Sequence, residues 1–360
     1  MKALVIGGSN TVMKSGYLRS MFEKAEYLSE RTITYTNIAI GAASCVHGLH
    51  LCASRCDLSD YDIFIIEYTI NDYKLSRGRD FDLWRGAYEG LIRLIISHRP
   101  DAHILSVILG RRDPIFYRRQ DRIKAGISNI STHYGIDEID IDLFLKTLSG
   151  GDFNAFSDFY LDGVHYKLPE VTTVIGDHLA TQLSYYMINN RPSRTLPSPI
   201  VPWSLEGVQV LSGTTLQIGQ STEFKNSLLT LQTRRLALGE RVTVDLPAEL
   251  VEMSYVTTKS AGTLLIEESG YDPIVIDTNF RGVSVGKFAF LLRSFPFANK
   301  VWRRRARRGP RTVTFEVIDS TKKALMTQYY QKQFGMIPPD VDRSRQAVYI
   351  EGLMHESVVN

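Results

Sequence analysis

Apolar and polar positions along this chain of 360 residues follow two different rhythms. Before residue 190, short continuous apolar runs alternate with longer segments of helical spacing. "KALVIG" (2–7), "YDIFIIEYT" (61–69) and "AHILSVIL" (102–109) are unbroken enough to be strands covered on both faces, and "TITYTNIAI" (32–40) and "IDEIDI" (136–141) add two weaker strands. Between them, "SGYLRSMFEKAEYL" (15–28) repeats apolar residues at helical intervals. "DFDLWRGAYEGLIRLIISH" (80–98) does the same and stops at Arg99-Pro100. Residues 114–134 start at Pro114, and "PEVTTVIGDHLATQLSYYMI" (169–188) has Pro169 in its first turn. Strand and helix in alternation predict an α/β domain over 1–190, a parallel sheet with helices on both faces.

The rhythm changes at a Pro- and Ser-rich stretch, so 191–202 is expected to be a linker. From 203 to 360 the segments are short and β-like: "GVQVL", "TLQI", "RVTVDL", "GTLLIEE", "PIVIDT", "KFAFLLRSF", "RTVTFEVID" and "AVYIEGL". Their number and turn spacing predict an all-β accessory domain, a jelly-roll-like sandwich.

Composition narrows the partners. Forty-two basic and 39 acidic residues leave a net charge of +3, too balanced for nucleic acid to be the main ligand. No run of 18 apolar residues suggests a membrane span. The three cysteines are crowded at 45, 52 and 56 and build no disulfide framework, and the start of the chain lacks a signal-peptide pattern. A cytoplasmic protein is expected. A homo-oligomer through the β-domain is compatible with the sequence.

Candidate chemistry gathers where a parallel sheet binds ligands, beyond the carboxyl ends of its strands. "GGSN" brings Ser9 after the first strand, "NIAIGAAS" brings Gly41 after the second, and "EYTINDY" brings Asn71 and Asp72 after the third. "FYLDGVHY" brings Asp162 and His165 before the last helix. Taken singly each has an ordinary explanation: Ser9 as a helix cap, Asn71-Asp72 and Asp162-Gly163 as turn pairs. Together, in this order, they resemble the blocks of the SGNH (GDSL-type) hydrolases over about residues 1–190. The resemblance implies a flavodoxin-like three-layer fold and cleavage of carboxylic esters. Two positions depart from the family pattern: Gly8 stands where an aspartate is usual, and Thr69 where a glycine is usual.

The residue types suit that chemistry. A serine hydroxyl needs a base, and histidine is the side chain whose ordinary titration suits that task, which makes His165 the candidate base. Asp162, three residues earlier, can return its carboxylate to the imidazole through a turn and hold the tautomer. The Ser9 and Gly41 N–H groups and the Asn71 amide would form an oxyanion hole. The expectation is a serine esterase acting on an O-acyl ester, O-acetyl on a carbohydrate by preference, through a Ser9 acyl-enzyme and with no cofactor. A polysaccharide O-acetyltransferase would use the same triad, and a non-catalytic carbohydrate-binding or assembly protein would keep the fold without turnover.

Three other signals carry less. "GVSVG" (282–286) matches Gly-x-Ser-x-Gly, but with "KFAFLLRSFPF" after it a strand context is expected, not the helix that a nucleophile elbow requires. "CVHGLHLCASRC" (45–56) lacks the paired knuckle spacing of a structural zinc site, so a helix at the active-site edge is expected and no metal, with His47 open to a substrate contact. "WRRRARRGPR" (302–311) reads as a solvated loop or hairpin edge, with a contact to an anionic polymer as the alternative.

Overall fold

The computed structural model describes residues 1–226, 229–298, 309–329 and 346–356. The chain divides into two compact units, Met1–Glu206 and Gly207–Asn360.

In the first unit, strands β1 (Lys2–Gly7), β2 (Thr34–Asn37), β3 (Ile63–Glu67), β4 (His103–Ile108) and β5 (Asp137–Asp140) form one parallel sheet in the order β2-β1-β3-β4-β5. Strand alternation divides the apolar runs between its two faces. Ala3, Val5, Ile63, Ile65, Leu105 and Val107 join one core cluster, with Met21 and Phe22 of α2 (Tyr17–Ser29) and Ile175, Leu179 and Leu183 of α9 (Glu170–Ile188). The intervening Leu4, Ile6, Phe64, Ile66 and Ile104 are buried too. That explains why these strands read as continuous apolar runs instead of alternating ones. The remaining elements are α1 (Ser9–Val12), α3 (Cys45–Arg55), α4 (Thr69–Asp72), α5 (Gly78–His98), α6 (Tyr117–Tyr134), α7 (Ile141–Leu148) and α8 (Phe153–Ser157). The short helices α1, α4, α7 and α8 are too brief to show a periodicity in sequence.

The expected linker is not a free tether. Residues 194–206 run along this unit as a strap. Ile200 and Val201 donate their N–H groups to the two oxygens of Glu89, and Leu205 N–H bonds Gly86 O at 2.9 Å. Glu206 pairs with Arg93. A Cβ at Gly86 would meet Trp203 O at 2.5 Å, and one at Gly90 would meet Leu205 O at 2.7 Å, so two glycines four apart on α5 open the groove in which the strap lies.

The second unit is a β-sandwich. One antiparallel sheet has the order β13 (Leu291–Pro296), β10 (Leu250–Thr257), β15 (Ala347–His355), β8 (Thr230–Ala237), β7 (Gln220–Lys225), with β6 (Gln209–Ser212) also on β15. The other has the order β12 (Ile274–Asp277), β11 (Thr263–Glu268), β14 (Arg311–Ile318), β9 (Arg241–Leu246). Residues of both sheets, among them Leu236, Met253, Phe295, Ile350, Leu264, Phe315 and Val317, share one core. Three expectations need correction. "TLQI" (215–218) is a turn region, not a strand. The strands β7, β8 and β10 lay outside the expected set. "GVSVG" overlaps a short helix, α10 (Arg281–Ser284), rather than a strand, and Ser284 Oγ turns back to Phe280 O. Of the basic stretch 302–311, residues 302–308 lie outside the described residues. A last helix, α11 (Ser320–Leu325), follows β14.

Candidate active site

Chain direction places the ends of β1, β2 and β3 on one edge of the sheet, and the four polar blocks of the first unit meet there. Gly8 is extended at the start of α1, and Ser9 is the first helical residue. The Ser9 side chain does not cap that helix. Its Oγ lies 3.0 Å from His165 Nε2, and His165 Nδ1 lies 2.8 Å from Asp162 Oδ2. Asp162 also shapes its own loop: Oδ1 accepts from Val164 N–H at 2.8 Å and His165 N–H at 2.9 Å, an Asx turn that points the imidazole back at the carboxylate. Burial alone would raise the Asp162 pKa, but these hydrogen bonds and the imidazole outweigh it and hold the carboxyl below its ordinary value.

Gly41 arrives by an extension of β2. Ile38 N–H bonds Val5 O and Ile40 N–H bonds Gly7 O, both at 3.0 Å, which lays the following residue beside the Ser9 turn. A Cβ built on Gly41 would stand 4.0 Å from Ser9 Cβ. The adjacent Ala42 is exposed, with a left-handed φ of 63°. Asn71, in α4, packs its amide on Gly8: a Cβ there would meet Asn71 Nδ2 at 2.3 Å. The missing side chain at position 8 is therefore what lets Asn71 come so close to the serine turn.

Asp72, brought by the third block, and two groups that the sequence did not single out, Asn10 and Glu67, hold this arrangement together. Asn10 is buried and donates Nδ2–H to Val164 O at 2.9 Å, tying the serine turn to the histidine loop. Asp72 is buried and accepts from Cys45 N–H at 3.0 Å and Trp84 Nε1–H at 2.8 Å, which anchors the start of α3 just after Gly41. Glu67 is buried at the end of β3, accepting from Thr11 Oγ1 at 2.8 Å and Gly8 N–H at 3.4 Å. Burial pushes both carboxyls up to about 7, against the pull of these donors. Asn10 stands next to Ser9 in "GGSN", but nothing local shows its partner 154 residues away.

The cysteine- and histidine-rich segment is helix α3, and His47 and His50 are both fully buried within it. That removes His47 from the solvent side of the site, where a substrate contact was left open. Burial raises the thiols of Cys45 and Cys52 well above their ordinary values. Among the described residues, no group of three His, Cys, Asp or Glu side chains could hold a metal ion, and no helix is long and apolar enough to cross a membrane.

No family model matches the chain, and no curated protein matches it. Solved structures do. A two-domain esterase active on acetylated mannans, crystallised with mannopentaose, superposes with a TM-score of 0.66 at 15% identity, covering 99% of this chain and 90% of that one. A second structure of a two-domain esterase active on acetylated mannans gives a TM-score of 0.65 at 14% identity, covering 99% and 91%. The likeness is one of fold. It runs through both units, the parallel α/β sheet of the first and the antiparallel sheets of the second.

Proposed function

We propose that this chain is a serine esterase that removes O-acetyl groups from a carbohydrate. The observation that carries this reading is the continuous line from Asp162 through His165 to Ser9, with separations of 2.8 and 3.0 Å. Ser9 Oγ attacks the ester carbonyl carbon while its proton passes to His165 Nε2. The ionised Asp162 keeps Nδ1 protonated and stabilises the imidazolium that forms. The carbonyl oxygen becomes an oxyanion, for which the Ser9 and Gly41 N–H groups and the Asn71 amide are the donors. The ester C–O bond then breaks, and the leaving alcohol takes the proton from His165. Water, deprotonated by the same imidazole, attacks the acyl-Ser9 carbonyl and releases the acid and the free serine.

The carbohydrate part of the reading rests on the mannan esterase whose fold covers both units of this chain. The test has two steps. A fluorophosphonate probe should label Ser9 in the folded wild type, and acetate should be released from acetylated oligosaccharides by wild type but not by Ser9→Ala. Failure of the probe to react would leave the mechanism without its nucleophile. Labelling without acetate release from any sugar would overturn the substrate class and leave a serine hydrolase of other specificity.

A further inference from the structure

Arg111 follows β4 at the same sheet edge and is 9% exposed. Its guanidinium carbon lies 4.2 Å from the Tyr73 ring centre and 4.4 Å from that of Phe116. The two rings stand at 64° to one another with centres 5.1 Å apart, so they form a corner into which the cation fits. Nε is buried and meets no acceptor, and among the described residues no carboxylate pairs with this guanidinium. The neighbouring Arg112 is different, with Asp113 at 3.8 Å. The buried Arg93 is different again: it donates to Glu206, Tyr134 Oη and Pro197 O. A buried cation is ordinarily paired, as Arg93 is; Arg111 has aromatic contacts and no anion.

Its place in the fold says what could supply one. Tyr73 lies two residues beyond Asn71. Arg112 N–H donates to Gly163 O, inside the Asp162–His165 loop, at 3.2 Å. Arg111 is thus bracketed by the loop of the expected oxyanion donor and the loop of the expected base.

The geometry points to Arg111 as a specificity residue that binds a carboxylate on the ester substrate, making the preferred substrate an acetylated uronic-acid sugar rather than a neutral one. The inference rests on the esterase reading above. A single guanidinium, with the next arginine already occupied by Asp113, matches a monoanion. A phosphate dianion ordinarily draws several cationic or N–H donors.

The experiment compares acetate release from an O-acetyl glucuronoside and from its neutral glucuronamide counterpart. Wild type should favour the acid in kcat/KM by about 10- to 100-fold, the usual worth of a charged hydrogen bond. In Arg111→Gln that ratio should fall to near one, and Arg111→Lys should recover part of it, since the charge remains and the fork does not. No preference in wild type, or a preference that survives in Arg111→Gln, overturns the inference while acetate release from either substrate leaves the esterase reading standing. Should both variants fail to fold, judged by circular dichroism, the wild-type ratio alone still decides. If no substrate releases acetate, the esterase reading fails, and binding to Ser9→Ala judges the anion site by itself. Calorimetry should then give tighter binding of glucuronate than of glucuronamide, and equal binding overturns the site. Tighter binding of glucose 6-phosphate than of glucuronate would overturn the carboxylate assignment.

Discussion

Two layers of polar groups lie at the carboxyl edge of the parallel sheet, and they live under different electrostatic rules. The outer layer is Ser9, His165 and Asp162. The Asp162 side chain is 53% exposed and that of His165 is 28% exposed, and the carboxyl is held below its ordinary value. The inner layer is Glu67, Thr11, Asp72 and Trp84, all nearly closed to solvent, with the two carboxyls pushed up to about 7. Water and a preset imidazole let the outer carboxylate stay charged, whereas dry surroundings favour the protonated form of the inner pair. Groups that change charge state during a reaction belong in the first setting. Groups that only brace the loops tolerate the second.

If that division holds, substitutions in the outer layer should cost turnover and leave the fold, and those in the inner layer should do the reverse. The largest effect is expected for Ser9→Ala, a loss of roughly 10⁴- to 10⁶-fold in kcat for ester cleavage with an unchanged melting curve. Asn71→Ala should follow, slowing kcat by about 100- to 1000-fold with little change in KM, because an oxyanion donor acts on the transition state. A rise in KM alone would move Asn71 out of that role. In the inner layer, Asp72→Ala strands the Cys45 N–H and the Trp84 indole N–H, and should lower unfolding free energy by about 2–4 kcal/mol in a denaturant titration. A stable but inactive Asp72→Ala would break the division.

The smallest effect concerns pH. Glu67 binds its proton more tightly in the fold than in the unfolded chain, where its value is about 4.5. Its contribution to stability is therefore complete below about pH 4.5 and is lost as pH rises through about 7. Glu67→Gln should show a flatter stability profile than wild type between these limits. Asp162 has the opposite sign: its contribution is present above the ordinary carboxylate value and is lost as pH falls through its lowered one. Its exposure makes that contribution small. Parallel profiles for wild type and Glu67→Gln would mean that Glu67 is not the group that titrates.

The order of elements in the first unit was legible because each buried parallel strand is its own short apolar run and each long helix repeats an apolar face. "KALVIG" coincides with β1, and residues 80–98 lie within α5 (Gly78–His98). The second unit was harder to read. Strand β8 carries Thr230, Gln232, Arg234 and Arg235, and β10 is buried along its whole length although Glu252 and Ser254 interrupt its apolar run. Neither strand offers the clean alternation or continuity that single-sequence reading depends on.

The blocks that supply Ser9, Gly41, Asn71, Asp162 and His165 could be named from residue type, order and position relative to strand ends, because all of those are local properties of the chain. Tertiary structure alone decided the distances. Ser9 and His165 are 156 residues apart in sequence and 3.0 Å apart in space. The Asn10 tie to Val164, the bracing of Asp72 by Cys45 and Trp84, the strap on α5 and the aromatic corner around Arg111 are contacts of the same kind. Local periodicity says which side of an element is buried but not what it is buried against, so partners brought together by the packing of remote segments stay invisible until the chain is folded.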